Sequence, residues 1–329
     1  MAVEFTGNSQ VVTAIHLAHA AADAEVGTEH LLGGLLNAAP DIKQLLGAFD
    51  ITTVVLVAVL NDRKDDWGSP DGTEQVDDEV TVADRKRPAP FGHGAKAALI
   101  RCAELSGGEP CTPEQLFSAV LHDERSRAVA VIRDCGADPA EVRAALRSGQ
   151  LPQRPDRVAP DLRVTRDRLI GRQAYRGRGL QDKVMSFLIP VKINYAAAPV
   201  MWVSLESDEI AKARGGEAGT DDLLVATLST YEVAIAYPHL SGRSIGAYTG
   251  SRALADAGLR HDRVARLAAS AELGTDAVRP SDVLRRGGPW ARNTGELLGA
   301  LLAHDETRAV RLLNSLGVDV RALRSSVTA

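Results

Sequence analysis

The sequence predicts an all-α protein of two helical domains, and three observations lead there. Aromatic residues make up 4% of the 329 residues while hydrophobic residues make up 45%. The cores are therefore built from Ala, Leu, Val and Ile, which suits packed helices. A helix-start pattern recurs: Val26-Gly27-Thr28-Glu29-His30-Leu31-Leu32 is repeated closely by Gly219-Thr220-Asp221-Asp222-Leu223-Leu224. Thr112-Pro113-Glu114-Gln115-Leu116-Phe117 and Thr294-Gly295-Glu296-Leu297-Leu298 repeat it loosely. Finally, Ala300-Leu301-Leu302, Arg308-Ala309-Val310, Gly317, Asp319 and Arg324 lie at one constant offset over Ala119-Val120-Leu121, Arg127-Ala128-Val129, Gly136, Asp138 and Arg143.

The first copy of the pattern has a simple physical logic. Gly27 permits an unusual backbone angle, and Thr28 is suited to cap a helix by accepting an orphan N–H of the first turn. Glu29 then falls in that turn, where the helix dipole favours negative charge. Leu31, Leu32, Leu35 and Leu36 follow as one apolar face.

In chain order, residues 8–24 read as a helix with Val11, Val12, Ile15, Ala18 and Ala22 on one face. The Thr28 helix follows, then one opened by Pro40-Asp41 with Ile42, Leu45, Leu46 and Phe49, then the apolar run Val54 to Leu60. Residues 63–90 are polar and rich in Asp, Gly and Pro, which predicts an exposed loop. The pattern restarts at Phe91 with a helix carrying Ala95, Ala98, Leu99 and Cys102, then the Thr112 start, then Ala128 to Ile132 ended by Gly136. Asp138-Pro139 opens a last helix with Val142 and Leu146.

Residues 150–182 hold eight Arg against four Asp and are expected to be a solvated linker between a domain at 1–149 and one at 183–329. The apolar stretch 184–205 is interrupted by Pro190, Lys192, Asn194 and Pro199, so it predicts buried core rather than a membrane span. The Thr220 helix follows, then a Gly/Ser/Tyr-rich insertion at about 229–251, then Ala253 to Gly258 as another helix stop.

A net charge of -5 gives no global reason to expect nucleic acid. Three cysteines, an odd number and all in one half, argue for a reducing cytoplasm rather than a disulfide framework. No basic region precedes an apolar run at the N-terminus, so no secretory signal is expected and the cytoplasm is the predicted location. Gly92-His93-Gly94-Ala95-Lys96 is too short for a phosphate loop. His16 and His19 lack a third metal ligand, and no nucleophile with an orienting His can be picked out. Neither metal, cofactor nor catalytic residue is therefore expected.

Phe5-Thr6, the Ala-rich helix, Gly27-Thr28-Glu29-His30-Leu31-Leu32 and the later helix stops ending in Gly-x-Asp together resemble the N-terminal repeat domain of the Clp ATPase unfoldases, most closely the ClpC type. That resemblance covers most of 1–148 and 183–326. It implies two such domains in tandem, each a pseudo-two-fold pair of four-helix repeats. The ATPase module of the family has no counterpart, since the sequence holds no Gly-x-x-x-x-Gly-Lys-Ser/Thr. In the family this domain docks adaptors and substrates and holds phosphoarginine, a guanidinium on a carboxylate and a phosphate on helix-terminal amides. Carried across, the ligand residues are Thr28, Glu29 and Glu114 in the first domain and Thr220 and Asp221 in the second. Pro113 replaces the motif Thr, and Gly295 stands where an acid is expected. Phe91 and Lys96 match the family's site for cyclic-peptide antibiotics. For each of these residues the alternative is an ordinary cap, core or surface role.

The resemblance implies a non-catalytic accessory of the ClpC–ClpP protease: an adaptor, decoy or regulator whose partners are a ClpC-type unfoldase or its substrates and adaptors. A second reading is a protein that sequesters a cyclic peptide or other small molecule. A third is an enzyme on the same scaffold, with Tyr231, Tyr237, His239 and Tyr248 lining one cavity.

Overall fold

A computed structural model describes residues 2–63, 67–82, 90–175, 193–285 and 290–328. The protein is mostly helical, at 63% helix. It divides into two units, Met1–Pro155 and Asp156–Ala329.

The first unit runs β1 (Ala2–Phe5), α1 (Ser9–Ala21), α2 (Thr28–Ala38), α3 (Pro40–Gly47), α4 (Thr53–Arg63), β2 (Glu79–Val82), α5 (His93–Ser106), α6 (Pro113–Val120), α7 (Arg127–Asp134) and α8 (Pro139–Ser148). Helices form where they are predicted, because each carries an apolar stripe closed by a cap or a stop. Leu31, Leu32, Leu35 and Leu36 of α2 are all fully buried, with Ile15, Phe49, Leu99, Phe117 and Ile132. Each such side chain contributes about 1.5–3 kcal/mol on leaving water.

Strands are the departure from the all-helical expectation: β1 and β2 pair in parallel, Ala2 opposite Glu79 through Phe5 opposite Val82. Two single bridges extend that logic. Gly7 pairs with Cys111 and Val26 with Phe91. The start of α1 is thereby tied to the start of α6, and the start of α2 to the start of α5.

The second unit runs α9 (Arg163–Leu169), α10 (Pro199–Ala213), α11 (Thr220–Ala236), α12 (Pro238–Ser241), α13 (Thr249–Asp256), α14 (His261–Ser270), α15 (Pro280–Arg285), α16 (Thr294–Leu302), α17 (Arg308–Ser315) and α18 (Val320–Thr328). Its core gathers Leu223, Leu224, Leu228, Leu254, Val264, Leu297, Leu301, Leu312 and Leu313. The expected insertion at 229–251 is part helix, since α11 continues to Ala236.

The unit boundary falls inside the segment expected as linker, and Arg166 and Arg168 are not solvated. Arg166 pairs with Asp156 at 2.9 Å and Asp167 at 2.7 Å, and Arg168 pairs with Glu206 at 2.9 Å. Burial pushes the Glu206 carboxyl above its ordinary range, while Arg168 and the hydroxyls of Tyr175 and Thr165 pull it back. Arg166 is neutralised by acids of the segment itself, whereas the acids that pair with Arg168, Glu206 and Glu209, lie outside it on α10. Arg176, Arg178 and the apolar residues 184–192 lie outside the described residues.

Both units repeat one hydrogen-bonding scheme in their last helices. Ser126 and Thr307 cap α7 and α17, accepting from Val129 at 3.2 Å and Val310 at 3.3 Å. Arg143 donates to the Leu121 carbonyl and to Glu124; at the same offset Arg324 donates to the Leu302 carbonyl and to Asp305. The stops match too: Gly136, Gly258 and Gly317 have φ of 75°, 79° and 75°, and Asp50 occupies the same left-handed region at 63° after α3. Nothing lies within 4 Å of a Cβ built on Gly317, so Gly317→Ala strains the backbone alone. It is expected to cost the second unit about 1 kcal/mol, seen as a fall of roughly 2–4 °C in its thermal midpoint.

Candidate functional site

The most distinctive polar junction of the first unit lies at the start of α2. Thr28 is not the cap expected from sequence. Gly27 takes that position and Thr28 is the first helical residue. This frees the threonine for a longer reach: its hydroxyl donates to Asp71 at 2.6 Å and accepts from the Ala128 amide at 3.0 Å. Asp71 also accepts from the Thr28 amide at 2.7 Å and the Arg127 amide at 2.9 Å. One carboxylate from the segment between α4 and α5 therefore ties together the N-termini of α2 and α7. Residues 63–90 were expected to be an exposed loop, yet Asp71 is only 7% exposed because three donors of this junction, the Thr28 amide and hydroxyl and the Arg127 amide, need it inside.

Glu29 is 3% exposed, and Arg127 donates to it at 3.2 Å. Gly27 is extended, at φ -93°, so the reason for glycine is not the backbone angle anticipated above. A Cβ there would stand 2.2 Å from the Glu29 Oε2 atom. Glycine makes room for a carboxylate folded back over it.

The second unit builds the same junction. Thr220 donates from its amide at 2.8 Å and its hydroxyl at 2.6 Å to Asp276, Arg308 donates its amide to Asp276 at 2.7 Å, and Ala309 donates to the Thr220 hydroxyl at 3.0 Å. Arg308 pairs with the buried Asp221 at 2.9 Å. A Cβ on Gly219 would lie 2.4 Å from Asp221 Oδ1. The orphan atoms match as well: Glu29 Oε2 and Arg127 Nε in one unit, Asp221 Oδ1 and Arg308 Nε in the other, are buried without a hydrogen bond. Asp221 has in addition Arg214 at 3.1 Å.

Burial, then the neighbouring Asp71, push the Glu29 carboxyl up to about 7 from its ordinary 4.5, against the pull of Arg127. Below about 7 the folded state therefore keeps a proton that the unfolded chain has lost, down to about 4.5. Proton binding thus favours the fold at low pH, and stability of the first unit falls as pH rises through that window, by up to about 3 kcal/mol. Glu29→Gln is expected to flatten this pH dependence in urea unfolding between pH 5 and 8. A slope unchanged by the substitution would show that Glu29 is not its source.

The other residues singled out by sequence sit differently. Glu114 is exposed at the start of α6, where Thr112, not Pro113, is the cap and accepts from Gln115 at 3.3 Å. Glu29 follows the Val26–Phe91 bridge and Glu114 follows the Gly7–Cys111 bridge. Phe91 is buried and tilted against His19, ring centroids 4.8 Å apart, and Lys96 is half-buried. Glu296 pairs with Arg292 on the surface, while Thr294 accepts from Gly250 at 3.1 Å. Tyr237 and Tyr248 are fully buried core side chains. The Tyr248 hydroxyl donates to the Ala196 carbonyl at 2.9 Å and that of Tyr237 accepts from Arg166 at 3.4 Å. Among the described residues no His, Cys, Asp and Glu group could hold a metal ion, and no helix is long and apolar enough to cross a membrane.

Beside the first junction lies an open groove of about 460 Å3, lined by Glu25, Asp71, Thr73, Glu74, Arg125 and Arg127 among others. Glu74 is engaged with Arg101 at 3.0 Å. Glu25 and Arg125 are exposed and make no close ion pair among the described residues, with Asp123 within electrostatic reach of Arg125. The groove offers a ligand both an acid and a guanidinium beside the Asp71 bonds. Compared with protein-family models, curated proteins and solved structures, the chain matches none.

Proposed function

We propose that this protein is a non-catalytic docking protein for peptides or proteins, an adaptor, decoy or regulator of a ClpC-type protease built from two tandem Clp N-terminal-like domains. The observation that supports the reading most is the duplicated junction, with the polar groove that opens beside its first copy. In that groove Glu25 and Arg125 are the docking charges, because Glu29 is already engaged by Arg127 and Thr28 by Asp71. Glu114, exposed and without an ion pair among the described residues, is a further carboxylate for an incoming guanidinium. Two units in one chain also suit a bivalent receptor, whose avidity exceeds either single affinity.

The test is a titration of the full chain with a ClpC-type unfoldase, an arginine-phosphorylated protein and an unfolded protein. Saturable binding to one of them, weakened about tenfold by reversing Glu25 and Arg125 together, is the expected result. Absence of binding to all three would overturn the proposal, and a thermal shift with a cyclic peptide alone would favour the sequestering reading instead.

A further inference from the structure

The second unit carries a pocket that the reading above does not use. It lies where α10, the segment leading into α11 and the start of α15 meet, and it encloses about 390 Å3. Glu217 lines it from the segment before α11, and Arg279 and Arg285 line it from the two ends of α15. Ser207 and Asp208 contribute from α10, Asp208 already having a partner of its own, and Trp290, 44% exposed, lines it as well. Glu217, Arg279 and Arg285 make no ion pair among the described residues.

Opposite charges lining one small cavity gain by closing on each other, and more so where water is partly excluded. Here they stay apart, with open space between them. A ligand bearing both charges satisfies both at once. The volume is that of a small-molecule site. The exposed indole adds a flat apolar face, which an aromatic ring covers with favourable stacking. Glu217 precedes Thr220 by the same spacing as Glu25 precedes Thr28, so the two cavities share one corresponding acid. Among the described residues no Phe, Tyr or Trp lines the groove of the first unit, so the two places differ in chemistry.

We infer that the pocket binds a zwitterionic aromatic ligand, a free aromatic amino acid or a short peptide end. The carboxylate sits on Arg279 and Arg285, the ammonium faces Glu217, and the ring lies on Trp290. Guanidinium forks recognise carboxylates in two-bond geometry, which a neutral amide cannot reproduce.

The probes are L-phenylalanine and the dipeptide Gly-Phe, each titrated calorimetrically into the full chain, with Gly-Phe amide and N-acetyl-phenylalanine as the singly blocked forms. One-to-one saturable binding is expected from L-phenylalanine or Gly-Phe, and which of the two is tighter identifies the source of the ligand. Blocking either charge, or the substitutions Arg279→Gln with Arg285→Gln, Glu217→Gln or Trp290→Ala, is expected to weaken it by about tenfold or more. All four positions are exposed, so the variants should keep the thermal midpoint of the parent. No saturable heat from either probe up to about 10 mM, or binding that Arg279→Gln and Trp290→Ala leave unchanged, would overturn the inference. Glu25→Arg, in the other unit, should leave this binding intact, so the inference and the docking proposal fail separately.

Discussion

Arg127→Ala is expected to destabilise the first unit by about 1.5–3 kcal/mol at pH 8, the worth of a hydrogen bond to a charged group. Glu29 is 3% exposed and Arg127 is the cation that hydrogen-bonds it. Without the guanidinium the carboxyl holds its proton to still higher pH, so the loss should be larger at pH 8 than at pH 5. Arg308→Ala makes a useful contrast. Asp221 keeps Arg214 at 3.1 Å after Arg308 is removed, so the second unit should lose about half as much. Urea unfolding of both variants, followed at each pH, tests the asymmetry; equal losses would show that the two ion pairs do not carry the difference.

Asp71→Ala should cost the first unit about 3–4 kcal/mol, because one carboxylate satisfies two helix-terminal amides and a threonine hydroxyl. In a unit of this size that corresponds to a fall of roughly 6–16 °C in its melting transition. Asp71→Asn should recover little of it. One oxygen of Asp71 accepts from the Thr28 hydroxyl and the Arg127 amide, the other from the Thr28 amide. An amide side chain would turn an N–H toward one of those donors. Full stability in the Asn variant would show that the segment before α5 is held by something other than these bonds. Asp276→Ala should act the same way on the second unit.

Much of the fold was legible because it rests on local signals. Apolar stripes and caps place the helices, and Gly136, Gly258 and Gly317 mark helix stops that need the left-handed region. The constant offset between Arg127, Gly136 and Arg143 and Arg308, Gly317 and Arg324 proved to be an offset between hydrogen bonds as well. Thr28 and Thr220 stand out in the sequence as a pair, but as first helical residues they reach across to Asp71 and Asp276, leaving the caps to Gly27 and Gly219. Asp71 and Asp276 escaped notice for a physical reason. Each sits in a polar loop segment where an Asp needs no explanation, and their partners are 43 and 56 residues away in the chain. Asp71, followed by Gly72, reads as an ordinary turn. The pairing of Arg168 with Glu206 is hidden likewise, since nothing local tells a basic helix which acids it will meet. Asp221 and Glu29 carry a faint signal that could have been used: each follows a Gly-Thr, and that glycine is the space the folded-back carboxylate requires.

The claim that the groove beside α2 is a docking face is tested most directly by amide hydrogen exchange on the full chain. It would be measured alone and then with saturating ClpC-type unfoldase, arginine-phosphorylated protein and unfolded protein in turn. Slowed exchange at residues 25–29, 71–75 and 125–128 with at least one of them is the predicted result. Exchange in those three segments left unchanged by every partner, or slowed only elsewhere, would contradict it.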